Sequence, residues 1–440
     1  MATTGETLDL NEAAGKADRR CSLICRLGFT TAGVLLLLIY AIQICSPLRI
    51  NPDAVDYLDL ASKLTDHQPF LLDGVRPVYP IGTPLLFSVM ERFRVANSAG
   101  FISLNVACLL IAVLSTASIY RSLGMTPLLA STTLIFTFSS FILIKHVGIP
   151  ISDIHYMAAS LSAVAMLESA ELAAEKRKKF ARFAIALMLV IGAVFLRRVS
   201  VALIPACLFV WRPSLRQMET LRRNVAGSRR TWIIFTAALI GVGAFALSMR
   251  SYLFYLPDFR PQLAGQRPAQ LIIRLLYMRS IDLGEVLLNV PYAKLQRLHG
   301  VFPITGIMLI AILIAGMWRA RRNFHPSHVC LLAYLAIMSV WPFGDSRFWL
   351  PVLPLLAAVS LQGIEPLMGR KSIRWIVASY ATLYMLMFLI AAGYTTRITF
   401  SKNFPEAYAN GLSESYYVQA WSNGRVDTKP ARIIRRYGMR

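Results

Sequence analysis

A chain of 440 residues with 56% hydrophobic and only 16% charged side chains lies outside the composition of soluble domains and requires lipid as its solvent. The formal charge of +23 invites a nucleic-acid reading, but 22 of the 46 Lys and Arg sit in the N-terminal segment or in short hydrophilic segments between apolar runs, the pattern of cytoplasmic segments, and no nucleic-acid partner is expected. Six cysteines show neither a disulfide framework nor a metal-ligand spacing, and no divalent metal is indicated.

A polar segment, 1–26, precedes the first apolar run, Leu27 to Ile44, which has no small-residue cleavage site behind it and reads as a signal anchor. A polar section, 46–99, follows, then apolar runs Phe101 to Ile119, Thr126 to Ile144 and Ile154 to Ala174, each near the roughly 20 residues that cross a bilayer. The basic cluster Lys176, Arg177, Lys178, Lys179 and Arg182 comes next. Phe183 to Trp211 is too long for one ordinary span and is interrupted by Arg197 and Arg198, so it is divided there into two short helices. Further spans are expected over Thr231 to Ser248 and near 301–318, 329–343, 350–366 and 375–394, with a polar section at 249–300 and a basic tail over 395–440.

Parity supports the division. With the N-terminus cytoplasmic, Arg121, the Lys176 cluster, the arginines from Arg212 to Arg230, Arg319 with Arg321 and Arg322, and Arg370 with Lys371 and Arg374 all fall inside. Reading Phe183 to Trp211 as one helix inverts everything after it. The expected architecture is an all-α polytopic membrane protein of about eleven transmembrane helices over 27–394, with outer loops at 46–99 and 249–300 and a non-cytoplasmic tail. Within the outer loops, Pro268 to Leu288 and the shorter Pro84 to Phe93 are amphipathic, which suits helices lying in the interface plane or a packed cap over the bundle.

The unusual polar residues collect on the outer side. Asp53, Asp56 and Asp59 follow the first span on an amphipathic turn, with Tyr57 one turn beyond Asp53. Asp53 is placed to act as a general base, or else as the N-cap of a juxtamembrane helix. Asp153, the Arg197 and Arg198 pair, and the segment Gly344, Asp345, Ser346, Arg347, Phe348 reach the same face. Each has a plainer reading: Asp153 as a cap, Arg198 snorkelling to headgroups, Asp345 paired with Arg347. Their convergence on one boundary, where charge is costly, argues for a site.

These residues resemble the GT-C superfamily of polyprenyl-phosphate-sugar-dependent membrane glycosyltransferases, which includes the protein mannosyltransferases and aminoarabinose transferases. The likeness lies in Asp53, Tyr57 and Ala61; in Arg76, Pro77, Val78, Tyr79, Pro80, Ile81, Gly82, Thr83, Pro84, Leu85 and Leu86; in Ser152 and Asp153; in Leu196, Arg197 and Arg198; and in Arg347, Phe348, Trp349, Leu350 and Pro351. It spans about residues 30 to 365. The chain departs from the family where an acidic pair is common, since Ala54 follows Asp53, which makes Asp56 a possible second acid. The C-terminal soluble domain of some relatives is replaced by the basic tail.

The resemblance implies inverting transfer of a sugar from a polyprenyl-phosphate-linked donor to a glycan, lipid or protein acceptor on the non-cytoplasmic side of a bacterial inner membrane. Asp53 would serve as base and Asp153 as its positioning or acceptor-binding partner; Arg198 and Arg347 would bind the donor phosphate; Tyr57, Tyr79 and His155 would contact sugar or headgroup. A transporter or flippase of lipid-linked sugars, or a non-catalytic assembly subunit, are the alternatives. The first is disfavoured because the charges sit at span ends and no repeat is visible.

Overall fold

The computed structural model describes residues 28, 30–74, 77, 79–212, 267–400 and 428–438. The expected span Thr231 to Ser248, the segment 1–26, and the motif residues Arg76 and Val78 lie outside the described residues. The regular elements are α1 (Thr30–Cys45), α2 (Pro52–Thr65), α3 (Gly82–Arg92), α4 (Ser98–Ser122), α5 (Pro127–Phe138), α6 (Phe141–Val147), α7 (Ser152–Glu171), α8 (Lys176–Leu196), α9 (Ile204–Trp211), α10 (Pro268–Leu288), α11 (Val301–Ala320), α12 (Pro326–Val340), α13 (Leu353–Ile364), α14 (Lys371–Thr399) and α15 (Lys429–Tyr437). Short 3-10 helices, Arg198–Leu203 and Ser346–Val352, lead into α9 and α13.

Among the described residues five helical stretches are long and apolar enough to cross a membrane, or six if the bent pair α5–α6 is one span. The expected count of about eleven is not confirmed. Three further apolar helices, Thr30–Cys45, Arg198–Trp211 and Pro326–Val340, are shorter, and α7 carries Asp153, His155, Glu168 and Glu171. Large apolar side chains such as Leu114, Met188, Ile307 and Ile390 stand exposed on the bundle exterior, a pattern that only lipid can satisfy.

Helix α7 is the axis of the bundle, with most of its side chains buried. Its 20 residues rise about 30 Å, the thickness of the hydrocarbon core. At one end the Arg197 guanidinium meets the Asp153 carboxylate; at the other, Arg212 Nη2 lies 3.5 Å from Glu171 Oε1. The chain therefore leaves one end of α7 at Arg197 and returns to the other by Arg212, as the division of Phe183 to Trp211 requires. The break is sharp: Arg197 is extended, with φ −151° and ψ 140°. Helix α8 begins earlier than its apolar run, because the Lys176 cluster forms its first turns.

Two expectations are corrected in detail. The run Thr126 to Ile144 is not one straight helix but bends by 55° between α5 and α6. Breaking a helix in an apolar setting exposes backbone groups, and Asn289 satisfies them: its amide donates to the carbonyls of Ser139 (2.9 Å) and Tyr384 (3.0 Å), and its side-chain oxygen accepts from the Phe141 N–H (2.7 Å). Pro268 to Leu288 is helical, but α10 packs lengthwise and antiparallel on α11. Glycine makes this possible, since a Cβ on Gly306 would fall 1.8 Å from the Ser280 carbonyl oxygen.

A second, smaller core sits beside the bundle and holds the helix that matters most here. Ala54, Val55, Leu58 and Ala61 of α2, at helical spacing, pack with Phe87 of α3, Phe101 of α4, Ile151, and Ala431, Ile433, Ile434 and Tyr437 of α15. Helix α3 is drawn onto the bundle at Gly82, where a Cβ would lie 2.5 Å from the carbonyl oxygen of Phe195. That contact brings the motif residues before α3 next to the Arg197 turn.

Candidate active site

The first turn of α2 is built so that Asp53 does not cap it. Asn51 is the N-cap, its side chain accepting from the Ala54 N–H at 2.8 Å, and Pro52 occupies the first helical position, where no N–H is needed. The capping reading of Asp53 is thereby corrected. Its carboxylate, 26% exposed, points to two partners: Tyr79 Oη donates to Oδ1 at 2.7 Å, and Arg347 Nη2 lies 2.5 Å from Oδ2.

Asp153 does not cap α7 either. The N-cap is Ile151, and the Asp153 carboxylate, with only 2% exposure, is held by Arg197. Both acids thus stand in the first turn of a helix, where the positive end of the helix dipole favours carboxylate, and each faces one arginine.

Arg347 joins the pieces. It lies in the 3-10 turn Ser346–Val352, which Asp345 caps by accepting from the Arg347 N–H at 2.9 Å. Asp345 Oδ2 is also 3.0 Å from Arg347 Nε, so the expected Asp345–Arg347 pair forms, and the same guanidinium reaches Asp53 through Nη2. The Arg347 and Arg197 guanidiniums lie 5.2 and 5.3 Å from the centroid of the Phe348 ring, a cation–π arrangement for each. Asp153 also acts electrostatically on Arg347.

Tyr57 closes the gap between the acid-bearing helices. Its hydroxyl is 2.9 Å from Ser152 Oγ, the neighbour of Asp153, and its ring packs on Tyr79 with centroids 4.8 Å apart. Burial pushes the Tyr57 phenol up to about 12, and burial together with Asp53 pushes Tyr79 up as well. Both therefore remain protonated donors across the physiological range.

The structure brings Asp53, Asp153, Arg347, Tyr57 and Tyr79 into one contiguous cluster. Asp56 and His155 make their contacts outside that cluster. Asp56 is engaged by Lys429 Nζ at 2.7 Å, so it is not a free second acid. His155 is 3% exposed and packs edge-on against Phe87 at 5.7 Å, its ring nitrogens making no hydrogen bond among the described residues; it belongs to the protein interior rather than to the acid cluster. Arg198 opens the 3-10 helix that follows the break and is half-buried; it is the adjacent Arg197 that holds Asp153. Arg197, Ser152 and Lys429 are the residues that sequence reasoning did not single out for these contacts. The advance signals were the Arg197–Arg198 doublet inside an apolar run and Ser152 beside Asp153 in the motif.

The fold is similar to that of a solved structure, with weaker likenesses to others. ArnT from Cupriavidus metallidurans bound to undecaprenyl phosphate superposes with a TM-score of 0.51 at 13% identity, covering 93% of this chain and 85% of that one. The oligosaccharyltransferase AglB from Archaeoglobus fulgidus, in complex with an inhibitory peptide and a dolichol-phosphate, gives 0.47 at 13% identity, over 92% of this chain and 59% of that one. ArnT in the apo state gives 0.47 at 14% identity, over 83% and 76%. No protein-family model matches the sequence, and no curated protein matches it. The all-helical membrane fold expected is the fold found, and it is similar to that of ArnT.

Proposed function

We propose that the chain is a membrane glycosyltransferase that moves a sugar from a polyprenyl-phosphate carrier to an acceptor at the non-cytoplasmic rim of the bundle, with inversion. The observation that supports this reading is the Asp53–Arg347 contact with Tyr79 on the second carboxylate oxygen, a carboxylate and a guanidinium side by side, the two groups such a transfer would use. Inverting transfer needs both. The acceptor hydroxyl oxygen attacks the anomeric carbon, the bond from that carbon to the phosphate oxygen breaks, the hydroxyl proton passes to Asp53, and polyprenyl phosphate departs with both electrons of the broken bond.

In this scheme Arg347 receives the leaving phosphate, a planar fork suited to two oxygens at once. Asp153, fixed by Arg197 and linked to α2 through Ser152 and Tyr57, positions the acceptor side. Arg198 is assigned to the donor phosphate with Arg347. The fold shared with ArnT, whose structure holds undecaprenyl phosphate, supports a lipid-phosphate donor. A bacterial inner membrane and a cytoplasmic N-terminus complete the proposal, in keeping with the basic residues of the short loops.

The test is incubation of the purified protein in detergent with radiolabelled polyprenyl-phosphate hexoses and pentoses and an envelope glycolipid extract. Label passing to the extract with release of polyprenyl phosphate supports the reading. Movement of intact donor across reconstituted vesicles without bond cleavage replaces it with a transporter, and neither outcome leaves an assembly subunit.

A further inference from the structure

Nine residues at the end of the described chain dock on the helix that carries Asp53. Helix α15 runs alongside α2 in the same direction, with Lys429 opposite Asp56 and Arg436 opposite Asp66. Lys429 Nζ lies 2.7 Å from Asp56, 3.9 Å from Asp59 and 3.7 Å from Asp73, one ammonium among three carboxylates. Arg436 grips Asp66 with both terminal nitrogens, at 2.8 and 2.9 Å, and reaches Glu91 of α3 at 2.5 Å. Tyr437 Oη donates to Glu91 at 2.8 Å. Between these polar ends Ala431, Ile433, Ile434 and Tyr437 are buried against α2 and α3.

The arrangement fixes the rotation of α2 about its own axis. Asp53 and Tyr57, one turn apart, face Arg347, Tyr79 and Ser152, while Asp56 and Asp59, lying further round the same helix, face Lys429. A helix gripped on two sides cannot turn to relieve one contact without losing the other. Without Lys429, Asp56 would lose its 2.7 Å partner and stand as an uncompensated charge one turn from Asp53 and Asp59, which keep Arg347 at 2.5 Å and Lys63 Nζ at 2.8 Å, a like-charge spacing that disfavours this face of the helix.

We propose that α15 is a positioning clamp for the acid-bearing helix, with Lys429 the positioning residue that holds Asp53 in register with Arg347. The kinetic consequence rests on the glycosyltransferase reading; the mechanical one does not. Full-length Lys429→Met and Lys429→Arg variants are compared with wild type by hydrogen exchange and by transfer kinetics.

The clamp predicts that Lys429→Met speeds amide exchange across residues 55–59 by about tenfold or more, leaves α11 and α14 unchanged, and that Lys429→Arg restores protection. Unchanged exchange over 55–59, or a general rise throughout the protein, overturns it. In transfer, kcat falls by roughly 10- to 100-fold, as for a catalytic group displaced by about 1 Å, with donor KM within about twofold and rescue by Lys429→Arg. A parallel loss of donor binding, or unchanged kcat in an active enzyme, overturns the positioning role. If wild type itself transfers nothing, the enzymatic reading fails and the exchange result alone decides the clamp.

Discussion

Arg347 Nη2 stands 2.5 Å from Asp53 Oδ2, although 294 residues separate the two in the chain, and the same guanidinium keeps its Nε 3.0 Å from Asp345. One arginine thereby ties α2 to the turn before α13. A phosphate arriving at Arg347 would compete with both carboxylates, so the cation is already oriented before any donor binds.

That double engagement predicts a strong preference for the guanidinium over an ammonium. Lysine keeps the charge but loses the rigid fork that reaches two carboxylates. Arg347→Lys should lower transfer by at least about tenfold and Arg347→Ala by roughly 10² to 10³, the range seen when one preorganised stabilising group is removed. Initial rates at saturating acceptor check this, and wild-type activity in Arg347→Ala would remove the residue from the mechanism.

Tyr79 donates to Asp53 and stays protonated well above neutral pH. A hydrogen bond to a charged group contributes about 1.5 to 3 kcal/mol. Tyr79→Phe should therefore reduce kcat roughly 10- to 100-fold while leaving folding intact, as read by thermal unfolding in detergent alongside the rate.

The two adjacent arginines should separate cleanly. Arg197 neutralises an Asp153 carboxylate that is almost wholly buried, and removing one partner of such a pair costs about 3 to 5 kcal/mol. Arg197→Ala should lower the melting temperature markedly. Arg198→Ala should instead weaken donor binding with little loss of stability, and equal melting shifts for the two variants would contradict the assignment.

The docking of α15 should depend on pH in a predictable direction. Its hydrogen bonds to Arg436 hold the Asp66 carboxyl below the usual range, so this contribution is present above the unfolded carboxyl pKa of about 4 and fades as pH falls through the depressed value. Partial burial opposes the Lys429 ammonium, but Asp56, Asp59 and Asp73 outweigh it and raise its pKa; that contribution is complete below about pH 10 and is lost as pH rises through the raised value. A spin label at the exposed Arg435 position, in a variant free of reactive cysteine, should be restrained at neutral pH and loosen below about pH 4. A label whose restraint does not weaken however far the pH is lowered below about 4 would count against the Asp66–Arg436 contact.

Much of this geography is legible in the chain itself. Apolar runs separated by basic clusters locate α4, α8, α11 and α14, and loop charge alone divides Phe183 to Trp211 at the place where the helix breaks. The convergence of Asp53, Asp153 and Arg347 follows from sidedness. What stays hidden depends on local geometry or distant partners. Asn51 and Asp53 are both good caps, and only the placement of Pro52 decides between them. Arg197 and Arg198 are chemically identical neighbours, and only the backbone break, with Arg197 extended and Arg198 opening a 3-10 helix, separates their roles. The bend at Ser139 has no proline or glycine to announce it and is tolerated because Asn289 arrives from 150 residues away. Lys429 belongs to a tail that reads in the sequence only as basic, with no sign that part of it docks on α2.

The most direct test is single-turnover transfer by Asp53→Asn from a pre-bound, labelled polyprenyl-phosphate sugar. Asparagine preserves shape and hydrogen bonding but cannot take a proton, and a general base typically contributes about 10² to 10⁴ in rate. The predicted result is unchanged donor binding with transfer slowed by at least about 10². Transfer by Asp53→Asn within a few-fold of wild type would contradict the assignment of Asp53 as base.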